Sequence, residues 1–92
     1  MSKYGVGFQI DNGFWYQGGK LEFQQDKLVI TFLGRIKEVL EYSKIVQVHK
    51  TRYMCWRSVI ISGNEKLTII TPSLFSYNKL CDDFKNHGIE IV

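Results

Sequence analysis

Hydrophobic and polar residues alternate with a period of two along most of this chain, and the period lengthens only near its C-terminal end. Tyr4, Val6, Phe8 and Ile10 alternate with Gly5, Gly7, Gln9 and Asp11, which predicts a strand. Asn12-Gly13 follows, a pair that tolerates positive φ and is a strong hairpin signal. A tight turn there sets Asp11 opposite Phe14 and Ile10 opposite Trp15. Gly18-Gly19 ends or bulges the second arm. The next hairpin joins Lys20–Gln24 to Lys27–Leu33 around Gln25-Asp26, with Phe23 facing Leu28 and Leu21 facing Ile30. Both pairs are apolar and lie on one face, which fixes the register.

Gly34-Arg35 is the next expected turn, and Ile36–Tyr42 the next strand. Ser43-Lys44 makes a corner. Ile45–Tyr53 and Trp56–Ser62 are strands around a Met54-Cys55 turn, and Lys66–Thr71 follows a Gly63-Asn64 turn. Thr71-Pro72-Ser73 stops the strand, since proline donates nothing to a ladder and suits a first helical turn. Thr71 or Ser73 is the expected cap. Leu74, Tyr77, Leu80, Cys81 and Phe84 then recur at helical spacing, with Asp82 and Asp83 on the polar side and His87-Gly88 as the stop. Ile89–Val92 reads as an extended tail packed on the sheet. About seven short strands must hide their edges, and curling does so. The fold class expected is mainly β: a curved antiparallel sheet or partly open barrel of about seven strands capped by one C-terminal helix. The chain reads as one domain, with an N-terminal hairpin over 1–18, the remaining strands over 19–71 and the helix over 73–87.

The 92 residues carry a net charge of +3, which solubility alone explains. Cys55 and Cys81 are far apart and lack a Cys-x-x-Cys partner or a His at ligand spacing. They read as reduced, buried thiols of a cytoplasmic protein rather than a disulfide scaffold. The run into the first strand holds no apolar stretch of signal or spanning length, so any membrane contact is expected to be peripheral, on the inner face.

The run Gly19-Lys20-Leu21-Glu22-Phe23 then Asp26-Lys27-Leu28-Val29-Ile30 resembles the opening hairpin of the bacterial pleckstrin-homology (PH) and GRAM-like group. Leu40-Glu41-Tyr42-Ser43-Lys44-Ile45-Val46-Gln47-Val48 is similar to that group's "I-P-Y-S-x-I-x-x-V" corner, with Glu41 in place of proline. Lys66–Ile70 and the helix through Phe84 resemble its closing strand and helix. The resemblance spans residues 19–87 and implies a non-enzymatic binding module for membranes, peptides or partner domains. The subset that binds phosphoinositides carries a basic cluster between its first two strands. Here Lys20 is the only basic residue between Ile10 and Phe23, so no ligand residues are carried over.

Charge distribution is the best lead to a site. No Asp or Glu lies between Glu41 and Glu65, a stretch that carries +4 through Lys44, Lys50, Arg52 and Arg57. Lys50, Arg52, Tyr53, Trp56 and Arg57 form the expected contact tip, suited to an anionic lipid surface or an acidic protein partner. A second surface is Phe14 with Tyr16: if Trp15 faces the core, its two neighbours face outward and offer an interface, including one between copies of the chain. Gly5-x-Gly7 lies within a strand and is no phosphate loop. His49 and His87 lack partners at metal spacing, Asp82-Asp83 is a solvated pair, and Ser58, Ser62 and Ser73 lack a nucleophile setting, so no catalytic residue, metal or cofactor is expected. Alternatives are a bacteriocin self-immunity factor at the membrane, which the resemblance permits, and a weak nucleic-acid-binding barrel, which the low net charge disfavours.

Overall fold

The computed structural model describes residues 2–92. In chain order it contains β1 (Lys3–Ile10), β2 (Trp15–Phe23), β3 (Lys27–Phe32), β4 (Arg35–Glu41), a 3₁₀ turn (Tyr42–Lys44), β5 (Ile45–Tyr53), β6 (Trp56–Gly63), β7 (Lys66–Pro72) and α1 (Tyr77–Asn86). The seven strands pair antiparallel in the order β4-β3-β2-β1-β7-β6-β5 and curl into a half-barrel. Leu21 faces Ile30 and Phe23 faces Leu28, the register that their matched apolar faces require. All four are fully buried.

The turns depart from expectation by small slips. In the first hairpin Gln9 faces Trp15 and Phe8 faces Tyr16. Asp11 joins Asn12 at positive φ (50° and 61°), and the Gln9 side-chain amide donates to the Gly13 carbonyl at 2.7 Å, so the loop takes up more residues than a tight Asn-Gly turn. The Asp11 N–H donates to the Leu67 carbonyl at 2.8 Å, which keeps the end of β1 with β7 rather than with β2. The next tight turn centres on Leu33-Gly34 and the last on Asn64-Glu65, each one residue away from the expected Gly34-Arg35 and Gly63-Asn64. Gly63 stays in β6, paired with Ile45 and Lys66, and Lys44 passes close to it: a Cβ there would lie 3.0 Å from the Lys44 carbonyl oxygen. Met54-Cys55 is a turn as expected, with φ of 49° and 73°.

The helix starts later than its apolar spacing predicted. Pro72 pairs with Val6 of β1 and is buried, which holds the backbone extended to that point. Ser73–Ser76 then make a turn closed by the Ser76 N–H on the Ser73 carbonyl at 3.0 Å. Neither Thr71 nor Ser73 caps α1; Ser76 holds the cap position, its hydroxyl accepting from the Ser73 hydroxyl at 3.0 Å rather than from an N–H of the helix. The Thr71 hydroxyl instead lies 2.6 Å from the Ser58 hydroxyl. The apolar stripe on α1 is Tyr77, Leu80, Cys81 and Phe84, and Leu74 is left exposed.

Phe84 is fully buried and meets Phe23 edge-on at 5.0 Å, and Phe23 meets Tyr4 in the same way at 5.9 Å. Beyond α1, Ile91 bridges to Val48 in parallel, with the Val92 N–H on the Val48 carbonyl and the Lys50 N–H on the Val92 carbonyl. The tail thereby covers part of the edge that β5 would present to solvent. At the other side of the mouth Tyr42 donates its hydroxyl proton to the Gln24 carbonyl at 2.5 Å. Burial, then the carboxylates of Asp26 and Asp83, push this phenol from 10.0 to about 12.

Phe84→Ala removes the largest fully buried side chain of α1, and it is expected to cost about 3–5 kcal/mol in a urea unfolding titration. Because the Tyr42 phenol ionises less readily folded than unfolded, its contribution to stability is complete below pH 10.0 and is lost as pH rises to about 12. Tyr42→Phe is therefore expected to flatten the fall in stability across that interval, read as unfolding free energy against pH.

Candidate functional site

Alternation along β5 and β6 decides what the charged hairpin presents. Lys50 and Arg52 follow Val48 on the face that turns towards α1, and Arg57 lies opposite Arg52. Tyr53 lies opposite Trp56 on the other face. The five residues of the expected tip therefore share one hairpin end but divide into three cations on one face and two aromatics on the other.

The cations line a notch of about 430 Å³ with Thr51 and with Tyr77 and Asn78 from the first turn of α1. The Arg57 guanidinium sits over the Tyr77 ring, 5.8 Å from its centre. None of the three is ion-paired: the ion pairs among the described residues are Lys3–Glu22, Lys27–Asp26 and Lys66–Glu38. The field of these cations reaches their neighbours. Burial raises the Tyr77 phenol while Arg57 and Arg52 oppose the rise. Burial likewise raises the Cys81 thiol, against the pull of Lys50. The positive end of the α1 dipole adds to the same field.

The aromatic face forms a second feature, a groove of about 680 Å³ between the hairpin end and the outer face of the sheet. Gly5, Gly7, Gly18 and Gly19 lie along it, and Trp15, Tyr53 and Trp56 are among its walls. Trp15 lies flat over Gly7, where a Cβ would come within 2.5 Å of the indole Cζ2. Its ring stacks on Tyr53 at 4.7 Å and 10°, and its Nε1–H donates to Gln17 Oε1 at 2.9 Å. The stack draws the end of the β5–β6 hairpin over the outer face of β1 and β2.

The loop between β7 and α1 meets both features. Ser73 lines the groove with Met54 and Trp56, and Tyr77 lines the notch with Arg52 and Arg57. Between them in the chain Leu74 is 62% and Phe75 95% exposed, and on the hairpin Met54 is 78% and Trp56 59% exposed. Sequence reasoning missed this pair because helical spacing absorbed Leu74 into the stripe of α1. The signal available was Pro72, which can close a strand as well as open a helix.

The Phe14 and Tyr16 pair is not a shared surface. Phe14 is 84% exposed in the first turn, whereas Tyr16 packs on the core, its ring stacked on Phe8 at 4.9 Å. The cause is the register: Tyr16 faces Phe8, so Trp15 is the residue that turns outward. Cys81 is buried as expected, but Cys55 is exposed, because it occupies a turn that projects past the sheet. No cluster of three or more His, Cys, Asp or Glu with metal-binding geometry occurs among the described residues. His87 Nδ1 lies 2.8 Å from the Asp83 carbonyl, a contact within the turn that ends α1. Among the described residues no helix is long and apolar enough to cross a membrane.

No family model matches this chain, and no curated protein matches it.

Gly7→Ala is expected to displace the Trp15 ring, break its stack on Tyr53 and cost about 1–3 kcal/mol. Loss of near-ultraviolet circular dichroism with the far-ultraviolet spectrum retained is the measurement that checks it.

Proposed function

We propose that this chain is a non-enzymatic binding module that docks on an anionic surface through Lys50, Arg52 and Arg57. The observation that carries the reading is the notch itself: three cations on one face, none of them ion-paired, with no carboxylate among the lining residues. A solvated face usually intersperses both signs. Here the acid-free segment concentrates one sign, and the fold turns it to the mouth of the half-barrel beside the start of α1. The curled sheet closed by a terminal helix is also the architecture that the PH-like resemblance implies, and we read the chain as a module of that kind. At a membrane the docking is peripheral. Each cation contributes about 1 kcal/mol near an anionic bilayer, so binding is weak and falls with added salt.

Sedimentation with vesicles of phosphatidylcholine, with and without phosphatidylserine, tests the reading at low and near-physiological salt. Binding is expected only with phosphatidylserine, and Arg52→Glu with Arg57→Glu is expected to lower it at least about 30-fold. Equal binding to neutral vesicles, or binding unchanged by the double reversal, would overturn it.

A further inference from the structure

We infer that the anionic surface is a lipid bilayer and that Met54, Trp56, Leu74 and Phe75 insert below its headgroups as a wedge formed by two loops. The inference rests on the docking function proposed above and assigns it a target and a pose. Four large apolar side chains protrude here from two separate places, the end of the β5–β6 hairpin (Met54 in the turn and Trp56 at the start of β6) and the β7–α1 loop, with exposures of 59–95%. Both connections lie at the end of the half-barrel that carries Lys50, Arg52 and Arg57, as the lining of the groove and the notch establishes. Apolar tips with cations on one side of them match the two layers of a bilayer boundary: acyl chains take the tips, and anionic headgroups take the charges. An indole ring with a polar N–H suits the level between them.

Charge is what selects this end of the molecule. The opposite end also exposes apolar groups, Phe14 and Leu33 at 84% and Leu67 at 51%. Its turns, however, intersperse both signs: Asp11 and Glu65 lie there with Arg35, and Lys66 is neutralised by Glu38 at 3.4 Å. A headgroup layer of negative charge repels those carboxylates and meets none among the residues that line the notch. An acidic protein would pair with the three cations equally well, yet it would need a fitted pocket for each of the four apolar tips. A fluid bilayer accepts them in any arrangement.

Trp56 supplies the readout. With phosphatidylserine-containing vesicles whose acyl chains are brominated, tryptophan emission is expected to be quenched, and Trp56→Phe to abolish the quenching although Trp15 remains. Leu74→Ser with Phe75→Ser is expected to weaken vesicle binding at least about ten-fold. Both positions are exposed, so the thermal unfolding midpoint of that variant stays at the wild-type value. Wild-type binding without quenching, together with unchanged affinity of the serine variant, would overturn the wedge and leave electrostatic docking standing. Absence of wild-type binding to any anionic vesicle would overturn both.

Discussion

A sheet that curls without closing leaves its concave face open, and the ring of Phe84 is the group that fills the opening. It is fully buried and meets Phe23 edge-on, in a cluster that includes Tyr4, Leu21, Leu28 and Leu80. A helix of ten residues is too short to persist by its own hydrogen bonds, so α1 exists because this stripe is buried. Everything at the mouth follows from that seating. Tyr77 is carried to the notch, and the chain beyond Gly88 is delivered to β5, where Ile91 bridges to Val48. Helix docking therefore closes the core and covers part of an exposed strand edge together.

The β5–β6 hairpin is longer than the sheet that supports it. β7 pairs with β6 only over Val59–Gly63, so Thr51–Tyr53 and Trp56–Ser58 have each other as their main backbone partners. Two side-chain contacts hold this overhang from opposite sides. Tyr53 stacks on Trp15 over the outer face, and Arg57 lies over Tyr77 of α1. Stacked aromatic pairs contribute about 0.5–1.5 kcal/mol and a cation over a ring a similar amount, enough to fix the pose of a short overhang. Ser58, fully buried, gives its hydroxyl to the contact with Thr71 at the point where the overhang leaves the sheet.

Division of charge from aromaticity across this hairpin shapes any binding it performs. Cations and rings on one face would compete for one surface; on opposite faces they leave the cations gathered beside α1, Tyr53 engaged with the sheet through Trp15, and Trp56 exposed at the hairpin end. The apolar tips come instead from the turn and from the segment between Pro72 and Tyr77. That segment is not drawn into the core because Pro72 is held in the ladder with β1, which sets how far the chain must run before a helical turn can face the half-barrel.

Local patterns determined most of the elements. Alternation in β1, β3, β5, β6 and β7 and the four-residue stripe of α1 are properties of neighbours in sequence, and the Leu21–Ile30 and Phe23–Leu28 register needs only two facing apolar pairs. The separation of Arg52 from Tyr53 was also legible, since adjacent strand residues face opposite ways. Tertiary structure decided the rest. Whether Trp15 or Tyr16 faces the core depends on how β1 divides its hydrogen bonds between β2 and β7. Whether Leu74 belongs to a helix depends on Pro72 pairing with Val6, more than sixty residues away in the chain. The site stands on those same choices, because gathering three cations beside a helix start requires contacts between segments distant in the chain, and no pattern of neighbours encodes which distant segment arrives.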